Sequence, residues 1–263
     1  MAKKQEDFNF LWSELSAGRI VKGLKYIFKN GFFPGWCPTW GKKTVFIKYG
    51  EYLREFFICG RCRSIPRYRA MMAVLEDHFP NWRDLSIHES SPGGQASNKI
   101  SRECKKYLPT HYYPDVPPGV DKDGFRCENL EEQTFETDSF DLVITQDVFE
   151  HIWDTRKAFK EIARTLKPGG CHVFTVPWRY WQPTLLRAKK EGDKVIHLVD
   201  YPEYHGNPID TSGSLVVTDW GWDLCDVIYE SSGMTTTVVR INDIKLGIPK
   251  AAEFIEVFIS RKR

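Results

Sequence analysis

Three groups of residues in this 263-residue chain have the types and spacing to do chemistry. The first is His151, which closes the run Gln146-Asp147-Val148-Phe149-Glu150-His151 after an apolar stretch, Phe140 to Thr145. Imidazole titrates near neutral pH, so a histidine there can take a proton from a nucleophile. The alternative is a ring that only orients its loop. The second group is Cys37-Pro38-Thr39-Trp40 and Cys59-Gly60-Arg61-Cys62, about 20 residues apart, close to the spacing of a zinc ribbon. Trp40 stands where the second cysteine of the first pair belongs. Three thiolates plus an outside ligand such as His78 can hold zinc. The reading adopted is a metal-free module packed by Trp36, Trp40, Phe56 and Phe57, with no metal expected. The third group is Arg61, Arg63, Arg67 and Arg69, entering a helix from about Pro66 to His78. Such a cluster is either an anion site for a carboxylate or phosphate, or an ordinary salt-bridged surface.

The elements that must position His151 are legible around it. Phe140 to Thr145 is a short β-branched apolar run, the pattern of a buried strand. From Thr155 to Leu166 the apolar residues Ala158, Phe159, Ile162, Ala163 and Leu166 share one face of a helix. Lys167-Pro168-Gly169-Gly170 stops that helix, and Cys171 to Val176 is a second strand closed by Pro177. Strand, helix and strand make a βαβ unit with parallel neighbours. Ligands of such sheets bind beyond the carboxyl ends of the strands.

The run FDLVITQDVFEHIWDTRKAFKEIARTLKPGG resembles the later half of the class I S-adenosylmethionine (SAM) dependent methyltransferases. It follows their pattern "sFDlv…vlEH…a..Ei.R.LkPGG" almost position by position. The resemblance covers residues from about 84 to 260. It implies an α/β fold: a Rossmann-like, doubly wound seven-stranded sheet with an antiparallel last strand. It implies SAM as methyl donor and S-adenosylhomocysteine as product. It also implies a cofactor site. Leu85, Ser86 and Ile87 give the first strand, Glu89 is the acid that receives the ammonium, and Ser90, Ser91, Pro92, Gly93 and Gly94 are the loop. Serines replace the family's first glycines. Tyr113, or Asp115, stands near the ribose. Glu128, Asn129 and Leu130 match the adenine segment, with Asn129 where an acid is usual. Gln146 and Asp147 follow the central strand and face the sulfonium. His205-Gly206-Asn207-Pro208 is similar to a "yHGnP" element in a subset of these enzymes, which makes His205 a second candidate base beside His151.

Composition bounds the rest. Hydrophobic content of 41% and aromatic content of 14% support a sizeable core, and the net charge of +2 implies no global polyelectrolyte role. Residues 1–80 hold 14 Lys/Arg and 7 Asp/Glu, a local excess that can attract an anionic partner or merely be solvated. Residues 1–30 read as an amphipathic helix whose default role is packing. The chain divides into an extension, 1–80, and a SAM-binding domain, 81–263. The latter carries an aromatic loop over 178–213 whose Trp178, Tyr180, Trp181, Tyr201 and Tyr204 can wall a substrate pocket. A terminal hairpin, Thr235 to Ile241 and Ala252 to Ser260, closes the sheet. No secretory signal or run of about 18 apolar residues occurs, and seven cysteines lack disulfide spacing, so cytoplasm is the expected setting. The expected activity is methylation of an O, N or C atom of a small-molecule acceptor, with no clear nucleic-acid partner and no reading of oligomeric state. Two alternatives stay open: a SAM-binding protein that does other chemistry or is regulatory, and an RNA or nucleotide-linked acceptor.

Overall fold

The computed structural model describes residues 31–192, 194–207, 209 and 213–263. The helix predicted over 1–30, and Pro208 of the His205 element, lie outside the described residues. Three antiparallel strands come first: β1 (Phe32–Cys37), β2 (Lys42–Lys48) and β3 (Phe57–Cys59), with the single turn α1 (Leu53–Phe56) between the last two. Their core is Cys37, Phe46, Phe57 and Cys59. Trp36 and Trp40, expected to share that packing, are instead 47% and 40% exposed. Strand alternation explains the difference: Trp36 and Cys37 fall on opposite faces of β1, and Cys37 takes the inner one.

The predicted helix Pro66–His78 is α2, started by proline in its first turn. It does not stay with the N-terminal sheet. Ala70, Met71, Met72, Val74 and Leu75 pack in one cluster with Ile87, Ile144, Val173 and Val257. The main sheet comprises β4 (Ser86–Ser90), β5 (Lys106–His111), β6 (Asp121–Lys122), β7 (Phe125–Cys127), β8 (Phe140–Gln146), β9 (Leu166–Thr175), β10 (Thr235–Val239) and β11 (Val257–Arg261). Their spatial order is β10-β11-β9-β8-β4-β5-β7-β6. Setting aside the two-residue edge strand β6, seven strands run 3-2-1-4-5-7-6, counted in chain order. Only β11 opposes its neighbours β9 and β10. This is the class I methyltransferase sheet.

Helices cover both faces. α2 and α3 (Gly94–Glu103) lie on one side. The other carries α4 (Thr155–Thr165) and α5 (Leu224–Ser232), packed on Phe140, Val143, Phe174 and Phe258. Asp154 caps α4 by accepting the Lys157 amide at 2.9 Å, as its place before the helix requires. The sheet order reverses between β4 and β8, so the switch point lies beyond Ser90 and Gln146, the last residues of these adjacent parallel strands, where Ser90 pairs with Thr145.

Residues 178–213 are less irregular than their composition suggests. Ala188–Glu191 pairs with Lys194–His197, and Tyr204–His205 pairs with Ser214–Leu215. Among the described residues no helix is long and apolar enough to cross a membrane.

Candidate active site

At the end of β4 the Glu89 carboxylate is fully buried and fully engaged. One oxygen accepts from Ser97 Oγ at 2.7 Å and Gln146 Nε2 at 2.8 Å; the other accepts from Tyr107 Oη at 2.7 Å. Burial raises its pKa, while those three donors pull the other way. The predicted cofactor acid thus braces β4 against β5, β8 and α3. The acceptor left over is Gln146 Oε1, buried and without a hydrogen-bond partner among the described residues.

The loop after Glu89 turns through Ser91, whose φ of +54° puts a non-glycine residue in the left-handed region at the position of the family's first glycine. Ser91 N donates to the Thr110 carbonyl at 2.8 Å, which fixes the turn against β5. Gly94, with φ of +76°, lies under the Tyr68 ring, where any Cβ would collide. Gly93 has open space in the direction of its missing Cβ. A ligand can approach the backbone there. The unpartnered Gln146 Oε1 and the open step at Gly93 are what this corner leaves for a ligand.

The remaining predicted cofactor residues are distributed unevenly. Tyr113 is buried against the β6–β7 hairpin, with Lys122 Nζ 4.9 Å over its ring; the exposed tyrosine directly after β5 is Tyr112. Glu128 is 1% exposed and accepts from Arg126 Nε at 2.7 Å and the Thr134 amide at 2.9 Å. Asn129 Oδ1 accepts the Glu131 amide at 3.0 Å, and Leu130 is buried. Asp115 is a surface residue paired with Lys122.

Asp147 sits in the left-handed region, with φ of +53°, and is claimed by the N-terminal module. Arg54 of α1 and Arg67 of α2 both donate to its carboxylate, and Thr175 Oγ1 adds a bond at 2.8 Å. Desolvation opposes ionisation, yet the two guanidiniums hold its pKa well below the usual range. The arginine run is not one patch. Arg69 is completely buried and donates to the carbonyls of Phe57 at 2.6 Å and Gly247 at 3.0 and 2.6 Å, pinning two chain segments.

His151 and His205 do come together, with ring centroids 5.2 Å apart and planes perpendicular. His151 follows Glu150 on the short turn Phe149–His151 after β8; His205 comes from the 178–213 segment. His151 Nδ1 donates to the Leu215 carbonyl at 2.8 Å, and the Val217 amide donates to the Glu150 carbonyl at 2.7 Å. These bonds fasten the segment over the end of β8. The Glu150 and Glu203 carboxylates hold His205 above the ordinary imidazole range. Beside them is a cavity of about 100 Å³ lined by Tyr52, Arg54, Glu150, Pro177, Arg179, Glu203, His205, Val216, Thr218, Asp219 and Phe254. Its wall is charged rather than aromatic. Tyr180, Trp181, Tyr201 and Tyr204, the expected wall, are 50–84% exposed, and Trp178 is half-buried. The composition of the loop signalled aromatics, but long-range pairing decides which side chains face inward.

Cys37, Cys59 and Cys62 also converge, their sulfurs within 4.8 Å of one another, and Ser64 Oγ stands 3.3 and 3.2 Å from Cys37 and Cys62. His78 pairs with Asp77 instead.

A family model described as a methyltransferase domain matches residues 97–174, which begins after the divergent loop. A dimethylglycine N-methyltransferase of Parasynechococcus marenigrum is 54% identical over 39 residues, 15% of this chain and 14% of that protein. The chain thus spans about a seventh of the length of that curated relative. Among solved structures, a SAM-dependent methyltransferase from Mesorhizobium loti is 17% identical with a TM-score of 0.49, covering 74% of this chain and 98% of that one. The Burkholderia thailandensis 1,6-didemethyltoxoflavin N1-methyltransferase, bound to 1,6-didemethyltoxoflavin and S-adenosylhomocysteine, is 14% identical with a TM-score of 0.44, covering 74% and 78%.

Proposed function

We infer the activity from one premise, that the chain belongs to the class I SAM-dependent methyltransferases: it methylates a small, polar acceptor held in the cavity beside Glu150 and His205. SAM supplies an electrophilic methyl group on sulfur, and displacement leaves the neutral thioether S-adenosylhomocysteine. The protein's task is alignment. The observation that carries this reading is the conjunction at the switch point. An open glycine step and an unsatisfied acceptor, Gln146 Oε1, stand at the ends of β4 and β8, and a charged cavity lies beyond the same β8 end. Ser91 to Gly94 offer backbone to the amino-acid end, Gln146 accepts from its ammonium, and Tyr112 and Asn129 border the nucleoside side. Arg54 and Arg179 in the cavity wall favour an acceptor bearing negative or strongly polar groups, and an imidazole of the His151–His205 pair activates its nucleophile.

An RNA acceptor is disfavoured by one finding. Three of the N-terminal module's basic groups, Arg54, Arg67 and Arg69, are consumed inside the protein instead of facing outward.

Calorimetry with S-adenosylhomocysteine tests the site. Wild type binds, and Gln146→Leu binds roughly 10–100-fold more weakly, the worth of a hydrogen bond to a charged group. Incubation with SAM and candidate acceptors then yields S-adenosylhomocysteine. Methylthioadenosine as the product overturns methyl transfer, and absence of binding overturns the reading as a whole.

A further inference from the structure

We propose that Glu150, His151 and His205 form a site for a divalent transition-metal ion of the zinc type, open on one side to the acceptor cavity. Glu150 is 1% exposed, yet neither carboxylate oxygen has a hydrogen-bond partner among the described residues. Its Oε1 lies 3.8 Å from His151 Nε2 and 3.7 Å from His205 Nδ1, and the three groups offer ligand atoms all within 4.8 Å of one another. Those separations are too long for hydrogen bonds. They are a few tenths of an ångström above the roughly 3.4 Å that separates two ligands of a tetrahedral ion about 2.1 Å from each.

The outer nitrogens sharpen the assignment. A carbonyl can only accept, so His151 Nδ1 carries the proton it gives to Leu215 O at 2.8 Å, leaving a lone pair on Nε2. His205 Nε2 faces Glu203 Oε1 at 3.3 Å, so the neutral ring donates there and keeps its lone pair on Nδ1, which a bound ion takes in place of a proton. Both lone pairs are thereby presented to the Glu150 side. A carboxylate or carbonyl behind each ligating imidazole is the arrangement that orients histidines toward metals. Two imidazoles and one carboxylate suit zinc and its neighbours in the first transition row, with coordination positions left over. The free position gives onto the cavity beside Arg179 and Thr218. It takes an oxygen of the acceptor, so the acceptor class is one with an ionisable hydroxyl or a carboxylate. That use of the ion rests on the methyl-transfer reading; the ion site itself does not.

Zinc titration of metal-free, full-length protein by calorimetry tests the site. Because the three cysteines can bind zinc as well, the reading is the site lost between wild type and variant. Glu150→Gln and His205→Asn each lose one zinc equivalent, or weaken it at least about 100-fold. Glu203→Gln, acting through His205, weakens it about 10–100-fold. All three variants still bind S-adenosylhomocysteine, which shows that they fold. Should Glu150→Gln and His205→Asn titrate with the wild-type stoichiometry and affinity, the metal site is refuted. Zinc binding without S-adenosylhomocysteine binding instead refutes the methyl-transfer reading and leaves the ion site standing.

Discussion

Three carboxylates stand at the same end of the sheet, Glu89 and Glu150 buried and Asp147 largely so, and they differ in what surrounds them. Glu89 is saturated by neutral donors from three elements, and Asp147 by two guanidiniums and a hydroxyl. Glu150, one turn beyond Asp147, has two imidazoles at 3.7 and 3.8 Å and, among the described residues, no hydrogen bond. Burying an ionised carboxylate without partners is costly, so satisfied and unsatisfied examples in one small region are not equivalent. The first two hold the architecture together. The third implies a partner that is not among the described residues.

The largest effect that tests this contrast is expected at Asp147. Asp147→Ala leaves the buried Arg54 and the partly buried Arg67 with Glu55 as their remaining carboxylate and should lower unfolding stability by about 3 kcal/mol, read from urea midpoints. A loss below about 1 kcal/mol would show that saturation there is ornamental. The sign with pH follows from its depressed pKa. The contribution is present above the unfolded value near 3.8 and is lost as pH falls toward the lower folded value.

Asp147 also shows where sequence reading stops. Its place after the central strand was legible, and the resemblance made it a cofactor residue. The partners that claim it are 93 and 80 residues away in the chain, in a module whose packing no local pattern reveals. Local signals fared better. Pro66–His78 formed as a helix with the expected bounds, and Phe140–Gln146 extends the predicted strand by one residue. Periodicity, proline and glycine act within a few residues, and those elements need nothing more. The aromatic loop is the opposite case. Which of its side chains face the cavity depends on pairing with Ser214–Leu215 and Thr218–Gly221, so Glu203 and Asp219 were missed. His151 and His205 were found separately as candidate bases, but Glu150, which lies between them, was placed at the same strand end without a role of its own.

Acid sharpens the comparison next. His88 on β4 and His172 on β9 lie in the same sheet, packed on phenylalanine rings, and each is completely buried with one ring nitrogen bonded to a threonine. Burial pulls both down to about 3. A histidine depressed in the folded state contributes stability that is full above its unfolded pKa near 6.5 and is lost as pH falls below it. With about 1.4 kcal/mol per unit for each ring, stability should drop by about 3 kcal/mol between pH 7.5 and 5.5. Urea midpoints measured across that window check it. A flat profile would mean that the two rings are solvated, and with them the strand ends that bear Glu89 and Gln146.

Glu89→Gln is expected to be milder, about 2 kcal/mol, because only one acceptor atom is exchanged for a donor among neutral partners. Its amide nitrogen must face either Tyr107 Oη or the Ser97–Gln146 pair, and all three are donors now. The rearranged Gln146 should also weaken S-adenosylhomocysteine binding, which calorimetry reads directly. Unchanged binding together with lost stability would confine Glu89 to architecture.

The smallest effect on stability is expected at Glu150, and its sign carries the argument. In metal-free protein Glu150→Gln removes a buried charge that accepts no hydrogen bond from the described residues, so stability should stay level or rise by about 1 kcal/mol. Adding zinc reverses the ranking. A ligand present at 100 times its dissociation constant stabilises a binding protein by about 2.7 kcal/mol, and the variant forgoes that gain at this site. The urea midpoints of wild type and Glu150→Gln should therefore cross as zinc is added, while those of Glu89→Gln and its parent shift in parallel. If instead Glu150→Gln destabilises the metal-free protein as much as Glu89→Gln does, the two imidazoles are sufficient partners for the carboxylate. The distinction between a saturated and a waiting carboxylate would then collapse.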